Sequence, residues 1–127
     1  KERDLVARLG ITREHTVIDL GAGTGNFAIQ AALAGASVHA VDISQTMLAY
    51  AQIKAQKAGT NAIEFHQAGF LTYEHQNKLA DFVVTKNALH ILPDFWKMAA
   101  FLRIAAMLQL KGVLYLRDVI FSFPPAD

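Results

Sequence analysis

A chain of 127 residues with net charge +1 and 53% apolar residues is long enough for one packed domain and too apolar for a disordered tail. Its charges are scattered, so no basic stripe marks a nucleic-acid surface and no acidic block marks a tail. The absence of cysteine excludes a disulfide scaffold and a thiolate zinc site and fits a reducing, cytoplasmic setting; the five histidines (His15, His39, His66, His75, His90) show no metal-ligand spacing along the chain, and no apolar run reaches membrane-spanning length.

Residues 3–9 place Leu5, Val6 and Leu9 on one helical face, and Gly10 suits the left-handed position that ends a helix. A short apolar strand over Thr16–Leu20 runs into Gly21-Ala22-Gly23-Thr24-Gly25, and a helix over 24–34 closes at Gly35. Ser37–Asp42 reads as a second strand. Ser44 is a good N-cap for a helix over 45–58 that ends at Gly59. A third strand over 63–68 breaks at Gly69, and a fourth covers 79–85. Pro93-Asp94 opens a helix reaching about Leu110, with Trp96 read as packing. Residues 112–121 make a fifth strand.

Strands alternate with helices and are apolar on both faces, as parallel strands covered by helices should be. Right-handed crossovers then predict one α/β domain over 1–127, doubly wound, with helices on both faces of the sheet. The chain begins without a methionine and stops soon after the fifth strand, so truncation at both ends is expected. That strand is long and apolar for a sheet edge, which calls for a further strand or a partner beside it.

In such a sheet the ligand lies beyond the C-terminal strand ends, where the glycines fall. Two ligand classes compete for them. Gly23-Thr24-Gly25-Asn26-Phe27-Ala28 fits the G-x-G-x-x-A of a dinucleotide site, and Asp42 stands 19 residues beyond Gly23, near a ribose-binding acid's usual spacing. The other class is a sulfonium cofactor carrying an amino-acid group. Asp19, two residues before the first glycine, would oppose a pyrophosphate and favour a cation. Asp19 could equally be satisfied by loop amides.

Val17-Ile18-Asp19-Leu20-Gly21-Ala22-Gly23-Thr24-Gly25 resembles the first motif of the class I S-adenosylmethionine-dependent methyltransferases, an acid, one residue, then G-x-G-x-G. Val41-Asp42-Ile43-Ser44 resembles that family's second strand end, and Lys86-Asn87-Ala88-Leu89-His90 its continuation after strand 4. The resemblance spans roughly residues 11–121. It implies a Rossmann-like sheet of order 3-2-1-4-5, with S-adenosyl-L-methionine as cofactor and S-adenosyl-L-homocysteine as product. Gly21, Ala22, Gly23 and Gly25, with Asp19 behind them, would lie under the methionine part. Asp42 would accept from the ribose hydroxyls, Ile43 and Phe70 would sandwich adenine, and Met47 would line the same pocket. Asn87 would meet the methionine ammonium.

The chain departs from the family at three places. Gly69 stands where many members carry an adenine-capping Asp, which leaves backbone groups at 69 and Phe70 for that task. Leu110-Lys111-Gly112 replaces a P-G-G turn, and the last two strands, often a hairpin, are absent. Methyl transfer is an in-line displacement, so a general base is optional; His90 is the first candidate, with Asp118 and Tyr73 behind it. Short loops and the lack of an N-P-P-Y motif point to a small-molecule acceptor, with no nucleic-acid or membrane partner. The alternatives are an NAD(P)-dependent oxidoreductase and a non-catalytic S-adenosylmethionine-binding domain.

Overall fold

The computed structural model describes residues 2–76, 78–85 and 93–116, together with the backbone of 119–122. Helix α1 (Glu2–Leu9) buries Leu5 and Val6 and carries acids in its first turn and Arg8 in its last, matching the helix dipole. Strand β1 (Thr16–Leu20) is buried throughout and leads through the glycines to α2 (Asn26–Leu33). Strand β2 (Ser37–Asp42) leads to α3 (Gln45–Ala58), which begins at Ser44, whose hydroxyl accepts from the Met47 N–H at 3.1 Å. Helix α3 ends at Gly59, as expected. Strand β3 (Ile63–Gln67), β4 (Ala80–Thr85), helix α4 (Asp94–Met107), β5 (Leu108–Leu116) and β6 (Val119–Ser122) complete the order.

The sheet order is β3-β2-β1-β4-β5-β6. Its first five strands are parallel and follow the expected 3-2-1-4-5 order. β6 lies antiparallel to β5, with Leu116 facing Val119 and Val113 facing Ser122. The single strand expected over 112–121 is therefore two strands, split around the charged pair Arg117-Asp118, which lies outside the described residues. Among the described residues the sheet has six strands, and β6 supplies the neighbour that an apolar β5 edge calls for.

Side-chain alternation sorts the core into two layers. Val17, Val38, Ala40, Phe82, Val84 and Tyr115 face α1 and α2 on one side. Ile18, Leu20, Val41, Val83 and Leu114 face Ile104 and Met107 of α4 on the other. Helix α4 ends at Met107, three residues before the expected limit, because Leu108 already has extended backbone and pairs with Ala80. Phe82 then pairs with Val113, so residues 109–112 bulge out of the ladder. Lys111 takes a positive φ of 67° there, and a Cβ on Gly112 would lie 2.8 Å from the Gln109 carbonyl oxygen. The turn expected at Leu110-Lys111-Gly112 is thus an outlet within β5. Trp96 is half-exposed and meets Phe95 edge-to-face, not the packed residue expected. The apolar side of α4 that covers the sheet is Ala100, Ile104 and Met107.

Asp81 fastens this end of the sheet. One carboxylate oxygen accepts from the Thr16 N–H at 2.8 Å, and the other accepts from the Gln109 side-chain amide. It joins the start of β1 to the β5 bulge through β4.

Candidate functional site

The glycine turn is built on β2 as much as on β1. The N–H groups of Gly21 and Ala22 both donate to the Val41 carbonyl, at 2.7 and 2.9 Å, and Gly25 N–H donates to the Ala22 carbonyl at 3.0 Å. Asp42, at the next position of β2, closes the arrangement. One of its oxygens accepts from Gly23 N–H and the other from Ser44 N–H, both at 2.8 Å. The acid expected to hold a ribose therefore also ties the turn to the entrance of α3. Each carboxylate oxygen has a second lone pair, so the side chain, 9% exposed, can serve both tasks.

Two glycines in the turn have different reasons. Gly25 sits at φ 85°, and a Cβ there would stand 2.9 Å from the Ala51 Cβ of α3, so its lack of a side chain lets α2 and α3 approach. Gly23 sits at φ 58°, and a Cβ there would meet nothing within 4 Å. Its bare face looks onto open space, which is where backbone can touch a ligand. Asp19 is 2% exposed, in register between Ala40 of β2 and Val84 of β4, and its carboxylate is not without a partner.

On the other side of Asp42 stand apolar side chains that the fold leaves uncovered. Ile43 is 72% exposed and Met47 43% exposed. Across from them, a Cβ on Gly69 would lie 3.1 Å from Cγ2 of Ile43. An Asp at 69 would crowd that contact. Gly69 instead starts a turn: its N–H donates to Thr72 Oγ1 at 2.8 Å, and its carbonyl accepts from Tyr73 N–H at 3.1 Å. Phe70 is half-buried against the core layer that contains Leu20 and Tyr73. The structure thus gathers Gly21, Ala22, Gly23, Gly25, Asp42, Ile43, Met47 and Gly69 around the C-terminal ends of β1, β2 and β3.

Asn87 and His90 lie outside the described residues, as does Asp118. Tyr73 is not a base for this cleft. It is buried, its hydroxyl pairs with His75 Nδ1 at 2.8 Å, and burial, then the Glu64 charge, push its phenol up to about 12. Chain spacing hides one further group: His39, Glu64 and His66 come together on β2 and β3, with His66 in register with Val41.

A methyltransferase domain model matches residues 17–112, which holds the glycine turn, Asp42 and the first four strands of the parallel sheet. This chain belongs to the methyltransferase domain family. Among solved structures, this chain superposes on a candidate S-adenosyl-L-methionine-dependent methyltransferase of Methanococcus maripaludis with TM-score 0.76 and 27% identity, over 91% of this chain and 52% of that one. It superposes on the YcgJ protein of Bacillus subtilis with TM-score 0.78 and 25% identity, over 91% and 49%. Coclaurine N-methyltransferase, solved with N-methylheliamine and S-adenosylhomocysteine, shares the fold at TM-score 0.77 and 20% identity, over 90% of this chain and 34% of that one.

Curated relatives match shorter stretches. An uncharacterised Mycobacterium tuberculosis protein is 47% identical over 55 residues, 43% of this chain and 20% of its own length. A 23S rRNA (uracil-C5)-methyltransferase of Alcanivorax borkumensis is 40% identical over 58 residues, 46% of this chain and 13% of its own. The chain thus spans about half of the first solved relatives and a smaller part of the curated ones.

Family and fold both identify a domain of the class I methyltransferase type. They replace the dinucleotide reading of the G-x-G-x-x-A match. Among the described residues, no helix is long and apolar enough to cross a membrane.

Proposed function

We propose that this methyltransferase binds S-adenosylmethionine between the glycine turn and the Ile43–Gly69 side, and transfers its methyl group to a small molecule. The observation that carries the reading is the open backbone face at Gly23, on a turn held by Asp42 and flanked by exposed Ile43 and Met47. Polar backbone on one side and apolar side chains on the other suit a cofactor with a charged amino-acid end and a flat base.

Bound there, S-adenosylmethionine supplies an electrophilic methyl group. The chain's own part is placement. Asp42 offers its remaining lone pairs to hydroxyls. Ile43 and Met47 give an apolar wall that gains by losing water. The three-glycine turn holds its amides in place through Val41 and Asp42, so little is lost in ordering it on binding. Asp19 adds negative potential behind the turn, which favours a cation over a pyrophosphate.

The connections 21–25 and 43–44 at this rim are short beside the longer one over 68–79, and the charges form no basic stripe. Both favour a small acceptor. Calorimetry on the full-length protein with S-adenosylhomocysteine should give micromolar-range binding, lost in Gly23→Val and at least tenfold weaker in Asp42→Ala. An absence of binding by the unmodified protein would refute the reading. Binding without methyl transfer to any of a broad panel of small acceptors and RNA would identify a non-catalytic cofactor-binding domain instead.

A further inference from the structure

We propose that His39, Glu64 and His66 form a binding site for a first-row divalent transition metal of the zinc class, separate from the cofactor cleft. The three residues come from neighbouring parallel strands. His39 of β2 is in register with Glu64 of β3, and Val41 with His66. Alternation puts His39, Glu64 and His66 on one face, the face that α4 covers further along the sheet.

The distances are close to those of a filled site. His39 Nδ1 lies 3.1 Å from His66 Nε2 and 3.2 Å from Glu64 Oε2, and all three ligand atoms fall within 4.8 Å of one another. Bonds of about 2.0–2.1 Å in a tetrahedral zinc site imply ligand-to-ligand edges of about 3.3 Å. Two edges already have that length. The third closes by movement of Glu64, whose side chain is 63% exposed on the outermost strand of the sheet.

The donor chemistry agrees. Two imidazoles and one carboxylate are a set that zinc accepts, with solvent available as a fourth ligand on the Glu64 side. Zinc takes imidazole in its neutral form. Burial first, then the neighbouring His75, lowers His39 to about 4; burial is also the first cause that lowers His66.

His75 is close but already committed. Its ring meets His39 edge-on at 4.8 Å, while Nδ1 pairs with the Tyr73 hydroxyl at 2.8 Å and Nε2 with the Lys78 carbonyl at 2.6 Å. Both of its nitrogens are taken, so it braces the site without joining it. A metal at this position fastens β3 to β2, three residues before Asp42.

The test uses the purified chain stripped of metal. Zinc is titrated against a chelating indicator, and cobalt(II) is followed by its visible absorption. One equivalent of zinc should bind with a micromolar or lower dissociation constant, cobalt should show the intensity of a tetrahedral complex, and zinc should raise the melting temperature. Glu64→Gln and His66→Ala, at incompletely buried positions, should each weaken zinc binding at least tenfold while keeping the circular dichroism spectrum of the metal-free chain. His15→Ala, whose ring rests on Phe82 in the other core layer, should change nothing. Failure of the unmodified chain to bind stoichiometric zinc, or unchanged affinity in folded Glu64→Gln and His66→Ala, overturns the site.

Discussion

At Gly23 and Gly25 the same residue type is required for opposite reasons, and this can be separated by substitution. A Cβ at Gly25 is strained by φ 85° and also strikes Ala51 of α3. A Cβ at Gly23 is strained by φ 58° but enters free space. Left-handed backbone alone costs a non-glycine residue about 1–2 kcal/mol. Gly23→Ala should therefore lose about that much stability in urea unfolding, and lose S-adenosylhomocysteine affinity at least tenfold because its methyl stands on the ligand's side. Gly25→Ala should lose about 2–4 kcal/mol, since the steric contact adds to the strain. Equal destabilisation by the two would contradict this division. The glycine spacing and Asp42 were legible in the sequence because they follow one another along the chain. The second occupation of Asp42, by Gly23 and Ser44 amides, was not, since it depends on how the β1 and β2 ends face each other. The same holds for His39, which is distant in the chain from Glu64 and His66 and meets them through strand register.

At the scale of elements, helix ends marked by Gly10, Ser44 and Gly59 were readable because a cap is a local event. Strands β1, β2 and β4 were readable as short apolar runs between turn residues. The junction of α4 with β5 was not. Residues 93–121 stay apolar through helix, bulge and strand, and periodicity alone does not mark where one ends. Tertiary pairing decides it, at Ala80 with Leu108 and again at Phe82 with Val113. Asp81 is the polar clamp across this junction. Asp81→Ala should leave the Thr16 N–H and the Gln109 amide without that acceptor, at a cost of about 1–3 kcal/mol in chemical denaturation. It lies at the N-terminal end of β4, away from the glycine turn, so S-adenosylhomocysteine affinity should stay within twofold of the unmodified chain. A tenfold fall in affinity would mean that the junction shapes the cleft.

Across the whole molecule, the cleft and the cores are arranged in series. The glycine turn hangs from Val41 and Asp42 of β2, β2 is held between β1 and β3, and both core layers close on those strands. A ligand that touches the turn, Asp42 and the Gly69 turn together connects three strand ends that the free chain joins through a few backbone hydrogen bonds. It binds the folded state alone, so stability should rise by about 2.7 kcal/mol at a ligand concentration one hundred times the dissociation constant. For a domain of this size that corresponds to roughly 8–15 °C in melting temperature. Hydrogen exchange should slow at residues 21–25, 42–47 and 68–72 well beyond this global gain. Residues of α1, which pack on α2, should slow by the global amount and no more. Gly23→Val should abolish both effects with S-adenosylhomocysteine and leave the zinc-induced rise intact, because none of His39, Glu64 and His66 belongs to the turn that the substitution alters. Loss of both responses in that variant would show that the two sites share one cooperative unit.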